Sequence, residues 1–182
     1  MSEEVAYQLL SGVLMSVVSS APSFHSVRWE PRIYPGDPAR TIQVRADIRH
    51  DLRGFPDDLI WTVQLCCSEL YTNAVLHTVS GAPGGEVARR LWLHRPDTLR
   101  LEVADGGWTT ARPALPPDRD GSAWLTSEGQ RGLLLVNAFA IDWGYDQVLP
   151  YSQLNLGLAV WADFRVDPGD VPRGLDHFIF TG

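Results

Sequence analysis

Apolar positions along this chain recur first at helical and then at strand spacing. Residues 27–34 form a short extended run interrupted by Pro31, which removes a backbone donor and is tolerated only at a sheet edge, so an edge strand is predicted. Pro35, Gly36 and Asp37 signal a turn. The stretch 38–52 then reads as a helix with Ile42, Ala46 and Arg49 on neighbouring turns, closed by Gly54 and Pro56. A second helix, capped by Asp57 or Asp58, is predicted to reach His77, because Ile60, Val63, Cys67, Leu70 and Ala74 recur every three or four residues as a core-facing stripe.

A glycine-rich break at 80–85 precedes two strand-like runs, 87–94 and 99–104. The proline and aspartate between them suit a tight turn, which predicts a hairpin. Residues 106–120 carry Pro113, Pro116 and Pro117 without periodicity and read as a long surface loop, of a length that suits a substrate lid. The glycine-bounded stretch 131–140 is almost wholly apolar and is predicted to be a helix buried on most sides. Two last strands are expected at 141–148 and 157–164. Together these elements predict one α/β domain over 27–165, a two-layer sandwich with a mixed, mostly antiparallel sheet and helices on one face. Residues 1–26 are an N-terminal extension expected to be helical, and 166–182 a C-terminal tail.

Composition narrows the function classes. With 182 residues, 45% of them apolar, the chain can bury a core of its own. A net charge of -7 and a pI near 5.1 provide no basic stripe for tracking phosphates, so direct nucleic-acid binding is excluded. A nucleotide site needs only local positive potential from helix-end amides, an arginine and a metal ion. All 15 basic residues are arginines. Cys66 and Cys67 are adjacent, which suits neither an ordinary disulfide nor a zinc site and fits a reduced, buried pair in a cytoplasmic protein. The stretch 3–18 begins with two acids and is interrupted by Gln8 and Ser11. It therefore reads as an amphipathic helix docking on the domain or a partner, not as a secretory signal or membrane span.

Three stretches carry candidate chemistry. On the second helix Glu69, Asn73 and His77 fall at steps of four and form one polar ridge, with a carboxylate and an amide oxygen that suit magnesium near phosphates. Alone, that spacing reads first as an ordinary solvated helix face with one satisfied histidine. Next, Asp105 follows Leu99, Leu101 and Val103 on the same face of a strand and needs a partner, for which an adenine amino group is suitable; Gly106 and Gly107 allow a sharp turn. An aspartate ending a strand in a glycine turn reads the same way. Finally, Gly129 and Gly132 precede an apolar helix whose exposed amides suit phosphate oxygens, with Arg131 adding charge. A hinge before a core helix has the same appearance, and the pattern is neither the dinucleotide fingerprint nor the P-loop.

In this order, separated by a long loop, the three stretches resemble the asparagine box and the two glycine boxes of the GHKL ATPases. The closer resemblance is to the bacterial anti-sigma-factor serine kinases. It rests on the Glu69-Leu70-x-x-Asn73-Ala74-x-x-His77 run, the Arg131-Gly132-Leu133-x-Leu135-Val136 run, Trp143-Gly144 and Val160-Trp161, and covers residues 27–164. The resemblance implies a Bergerat-type ATP-binding fold with ATP and magnesium as cofactors. It further implies Glu69 as the general base for a serine hydroxyl, Asn73 on magnesium, His77 on the same ATP-binding ridge and Asp105 at the adenine amino group. Gly107 would give close approach, Gly129, Gly132 and Leu133 would form the phosphate and lid end, and Arg131 would lie near the terminal phosphate. The implied partners are a sigma factor and an anti-anti-sigma protein, with the kinase a homodimer and no membrane involved.

The chain also departs from that family. Gln130 and Arg131 separate the glycines more widely than the common Gly-x-Gly arrangement, and Gly157-Leu158-Ala159 stands where relatives often have glycine, lysine and threonine, so a hydroxyl supporting the adenine end is missing. His50-Asp51-Leu52-Arg53 looks like a histidine-kinase phosphoacceptor box. It lies only about five helical turns from Glu69, whereas the acceptor of those kinases sits on a separate upstream hairpin, so it reads as a solvated helix-end histidine. The alternatives to a serine kinase are a non-catalytic binding module of the same fold and the detached ATP domain of a histidine kinase.

Overall fold

Alternation along the strands decides which face of the sheet is covered. A computed structural model describes residues 27–107, 113, 131–148 and 157–175; the extension 1–26, nearly all of the stretch 108–130, residues 149–156 and the tail beyond 175 lie outside the described residues. Strands β1 (Arg32–Pro35), β2 (Glu86–Arg95), β3 (Thr98–Ala104), β4 (Asp142–Gln147) and β5 (Leu158–Arg165) form one sheet in the order β1-β2-β3-β5-β4. Every pairing among these described strands is antiparallel. Leu91, Leu101 and Ala162 stand abreast across three strands, as do Leu93, Leu99 and Phe164. These side chains share one core with Ile60, Val63, Cys67, Leu70 and Ala74 of helix α2 (Asp57–His77), so the stripe read from the sequence is buried at every position.

Helices α1 (Thr41–Asp51) and α3 (Arg131–Phe139) pack on the flanks of α2 and add to the same core. The inward face of α1 differs from the one expected: Val44 and Ile48 are buried, while Ile42 is 80% exposed and Ala46 and Arg49 face solvent. The reason is that positions 44, 47, 48 and 51 share one helical face and two of them are aspartates, so a search for apolar repeats alone selects the wrong side. At the start of α2 neither aspartate caps; Pro56 occupies the cap position, and Asp57 and Asp58 lie in the first turn, where the helix dipole favours negative charge. Helix α3 is less enclosed than its composition suggests. Gly132 and Val136 are buried, but residues 137–139 are exposed, because its described packing is confined to α2 and β4.

Pro31 interrupts the edge as expected. Trp29 N donates to Leu91 O (3.1 Å) and Leu93 N to Val27 O (2.9 Å) before it, and β1 resumes the ladder after it with Arg32 opposite Arg89. The far face of the sheet is held differently, by cross-strand ion pairs. Arg90 stands opposite Glu102, and Arg100 opposite Asp163 with bonds of 2.6 and 2.7 Å. The Arg100 guanidinium also lies 4.1 Å from the centre of the Trp161 ring. That ring lies over Gly144, where a Cβ would come within 2.7 Å of it, so the Trp143-Gly144 and Val160-Trp161 pairs are coupled across β4 and β5.

Cys66 and Cys67 are buried and unbridged, and burial pushes each thiol up to about 12, which keeps both protonated. Among the described residues no helix is long and apolar enough to cross a membrane.

Asp51, at the end of α1, joins helix and sheet. Its carboxylate accepts from Arg32 Nε (3.0 Å) and Nη2 (2.5 Å) and from Arg89 Nη2 (2.5 Å), and its carbonyl accepts from Trp29 Nε1 (2.7 Å). The Arg89 side chain is only 1% exposed, its Nε and Nη1 have no hydrogen-bond partner among the described residues, and Asp51 is its ion-pair partner there. Burial alone would raise the Asp51 carboxyl, but the hydrogen bonds and charges of Arg32 and Arg89 outweigh it and hold the group below its ordinary value. His50 beside it faces solvent, so this segment serves an ion pair of the core. Asp51→Ala, which strands the Arg89 charge, is expected to lower stability at neutral pH by about 3–5 kcal/mol in urea melts. Because the folded-state value is depressed, the loss persists above the ordinary carboxylate range and fades as the pH falls through the folded value.

Candidate functional site

The open end of the sandwich is formed by the second half of α2, the end of β3, the start of β5 and the first turn of α3. Helical repeat places Glu69 and Asn73 one turn apart, away from the buried stripe. Helix α3 closes on them through a residue without a side chain. A Cβ on Gly132 would lie 2.8 Å from Glu69 Oε2 and 3.3 Å from Asn73 Nδ2. The first described turn of α3 therefore rests directly on these two polar groups, and Leu133 beside it packs against the core. Glu69 and Asn73 make no hydrogen bond with other described side chains. Burial raises the Glu69 carboxyl above its ordinary range, with no compensating cation among the described residues.

The second group of residues gathers around Asp105. Its Oδ1 accepts from the backbone amides of Gly107 (2.9 Å) and Leu158 (3.2 Å), while its own N donates to Leu158 O (3.0 Å). Gly107 turns the chain at φ +88°, and Gly157, at φ +121°, lies so close that a Cβ there would approach Asp105 O to 2.3 Å and Oδ1 to 2.5 Å. Burial is again the largest influence and raises the Asp105 carboxyl despite the two amides. Both of these bonds go to Oδ1, and Oδ2 takes no hydrogen bond from the described residues. The backbone amide of Leu158 thus supports this carboxylate where the sequence lacks a hydroxyl.

The structure brings together Glu69, Asn73, Gly132 and Leu133 on one side and Asp105 with Gly107 on the other, both at the same end of the sheet. His77, at the last position of α2, is exposed and makes no hydrogen bond or ion pair with described residues. Arg131 opens α3, but its side chain, like Gly129 and Gln130, lies outside the described residues. Two participants were not singled out as site residues from the sequence, Gly157 and the Leu158 amide. The only available signal was the glycine before a strand, and backbone donors leave no trace in side-chain identity.

The donor set fits a nucleotide with a divalent cation. The Glu69 carboxylate and the Asn73 side-chain amide sit beside the first described turn of α3, and no group of three or more His, Cys, Asp or Glu residues suited to a metal occurs among the described residues. A magnesium ion here would take its remaining ligands from phosphates and water.

Two substitutions test this geometry without any ligand. Glu69→Gln removes a carboxylate whose ionised form is disfavoured by burial, and is expected to stabilise the protein at pH 7 by about 0.5–2 kcal/mol in urea melts. The gain should disappear as the pH falls below the ordinary glutamate value, where the unfolded chain is protonated as well. Gly157→Ala combines a strained φ with overlap on Asp105; it is expected to shift the amide resonances of Gly106 and Gly107 and to cost about 1–3 kcal/mol.

A search of characterised proteins returns no match to the chain. A profile of the histidine kinase-like ATPase domain matches residues 34–156, from β1 to just before β5, and so spans the second and third helices with both polar groups of α2 and the Asp105 turn. On that match and this geometry, the chain belongs to the histidine kinase-like ATPase domain family.

Proposed function

We propose that this domain binds ATP with magnesium and acts as a serine kinase on an anti-anti-sigma protein, while also sequestering a sigma factor as a homodimer. The observation that carries the nucleotide reading is the seating of the α3 amino end on Glu69 and Asn73 through Gly132. That contact supports the reading because a carboxylate and a side-chain amide lie against the backbone of a helix's first described turn, a combination suited to terminal phosphates and their metal. Asp105 Oδ2 would accept from the adenine amino group, with the approach permitted by Gly107. Asn73 Oδ1 would hold magnesium, which when bound neutralises charge on the phosphates. The amides of Gly132 and Leu133 would face phosphate oxygens, with Gly129 and Arg131 completing that end and His77 at the rim of the helix ridge.

Glu69 would take the proton from the attacking serine hydroxyl. Its raised carboxyl suits that role, since a base is most effective when its pKa lies nearer the working pH. The kinase step and the two protein partners rest on the resemblance in the Glu69 to His77 and Arg131 to Val136 runs. One observation favours a second reading, a partner-binding or nucleotide-binding module without transfer: Gly132 lies against the same carboxylate that a serine hydroxyl would have to reach.

Calorimetric titration of ATP separates these readings. The wild type is expected to bind only with magnesium present, and Asn73→Ala and Asp105→Ala are each expected to weaken binding at least tenfold, about 1.4 kcal/mol. No binding by well-folded wild type at millimolar ATP would sink the nucleotide reading. Given binding, transfer of the γ-phosphate to a serine of an anti-anti-sigma protein, abolished by Glu69→Gln, distinguishes the kinase from the silent module.

A further inference from the structure

Ser80 lies in a short 3-10 turn, Val79–Gly81, and is wholly buried although polar. Its hydroxyl donates to Glu86 O at the start of β2 (2.7 Å) and accepts from Gly106 N (2.7 Å), the residue after Asp105. Its own amide donates to Thr78 Oγ1 (3.0 Å), and the Thr78 hydroxyl donates to Ala74 O (2.6 Å). Ala74 follows Asn73 on α2. An unbroken chain of hydrogen bonds thus runs from the helical turn that bears Asn73 to the backbone that carries Asp105.

The backbone around this turn is packed too closely for Ser80 to relax. A Cβ on Gly36 would come within 1.6 Å of the Ser80 carbonyl oxygen, and one on Gly85 within 2.1 Å. Both glycines are therefore required by the approach of three chain segments to one serine. A hydroxyl has one donor and can accept, so the two bonds of Ser80 Oγ use it in both senses and leave a shift of Gly106 without a replacement partner.

We propose that Ser80 is a positioning residue, which sets the Asp105 turn at a fixed separation from Asn73 so that the adenine and phosphate ends of one nucleotide are engaged together. This rests on the nucleotide reading of the site. Ser80 touches no ligand and acts through Gly106 on the Asp105 carboxylate. Its loss should therefore impair recognition of the adenine amino group selectively, because that hydrogen bond depends steeply on distance and angle. A serine that only fills space would instead lower stability and weaken all nucleotides alike.

The test compares magnesium complexes of ATP and of purine riboside triphosphate, which lacks the 6-amino group. Affinities are measured for wild type, Ser80→Ala, Asp105→Asn and the double variant. Wild type is expected to prefer ATP by about tenfold or more. Ser80→Ala should reduce that preference at least about threefold, and should have no further effect on it in the Asp105→Asn background, the non-additivity that marks action through a shared group. An undiminished preference in Ser80→Ala, with both nucleotides weakened equally, overturns the inference and leaves the nucleotide reading intact; failure of folded wild type to bind either nucleotide removes that reading and the inference with it. Should Ser80→Ala not fold, amide hydrogen exchange on nucleotide-free wild type decides. Gly106 should be protected like the strand amides, and exchange at the rate of an open loop overturns the proposal.

Discussion

The packing of α2 across the sheet is the constraint on which the rest of this structure depends. A helix that buries Ile60, Val63, Cys67, Leu70 and Ala74 over three strands can place polar groups only along its remaining side. Glu69 and Asn73 fall there because residues four apart repeat on one side of a helix. Against that rim α3 presents no side chain, because Gly132 provides the gap. The core and the candidate site are consequences of one helical phase. A shift of that phase by one residue would bury the polar ridge and expose the apolar stripe.

Buried carboxylates show how the electrostatic cost of this arrangement is distributed. Removing a charge from water costs several kcal/mol unless a partner compensates. Asp51 has two arginines and is driven below its ordinary value. Glu102 has Arg90 directly across the strand pair, yet burial remains its largest influence and raises it. Among the described residues Asp105 has only backbone amides and Glu69 has no compensating charge, and both are raised. Compensation is thus strongest where helix α1 meets the sheet and weakest at the open end. A carboxylate left short of partners in a partly desolvated site gains most from a ligand's donors or metal ion.

The two faces of the sheet solve the same problem of burial by different means. The helix side uses aliphatic rows that continue from strand to strand. The opposite side uses Arg90 with Glu102 and Arg100 with Asp163, and stacks the Arg100 guanidinium on Trp161 over Gly144. Directly opposed charges across antiparallel strands reinforce register, since a one-residue slip would turn these side chains to the aliphatic face.

The sequence by itself determined the elements and the helix that bears the site. Periodicity located α2 and its stripe, alternation located the β2–β3 hairpin, and the proline in the first extended run marked the sheet edge, because these follow from local repeat and from a missing backbone donor. It also brought Glu69, Asn73, Asp105 and Gly132 together as one family pattern. It did not identify the inward face of α1, where Asp47 and Asp51 share the side of Val44 and Ile48, because a buried aspartate is legible only once Arg32 and Arg89 are seen to meet it. Nor did it show that residues 137–139 of α3 are exposed, or that the Leu158 amide and the hydroxyl of Ser80 hold the Asp105 turn. Those contacts join residues far apart in the chain, some through backbone atoms common to every residue, so only tertiary packing could decide them.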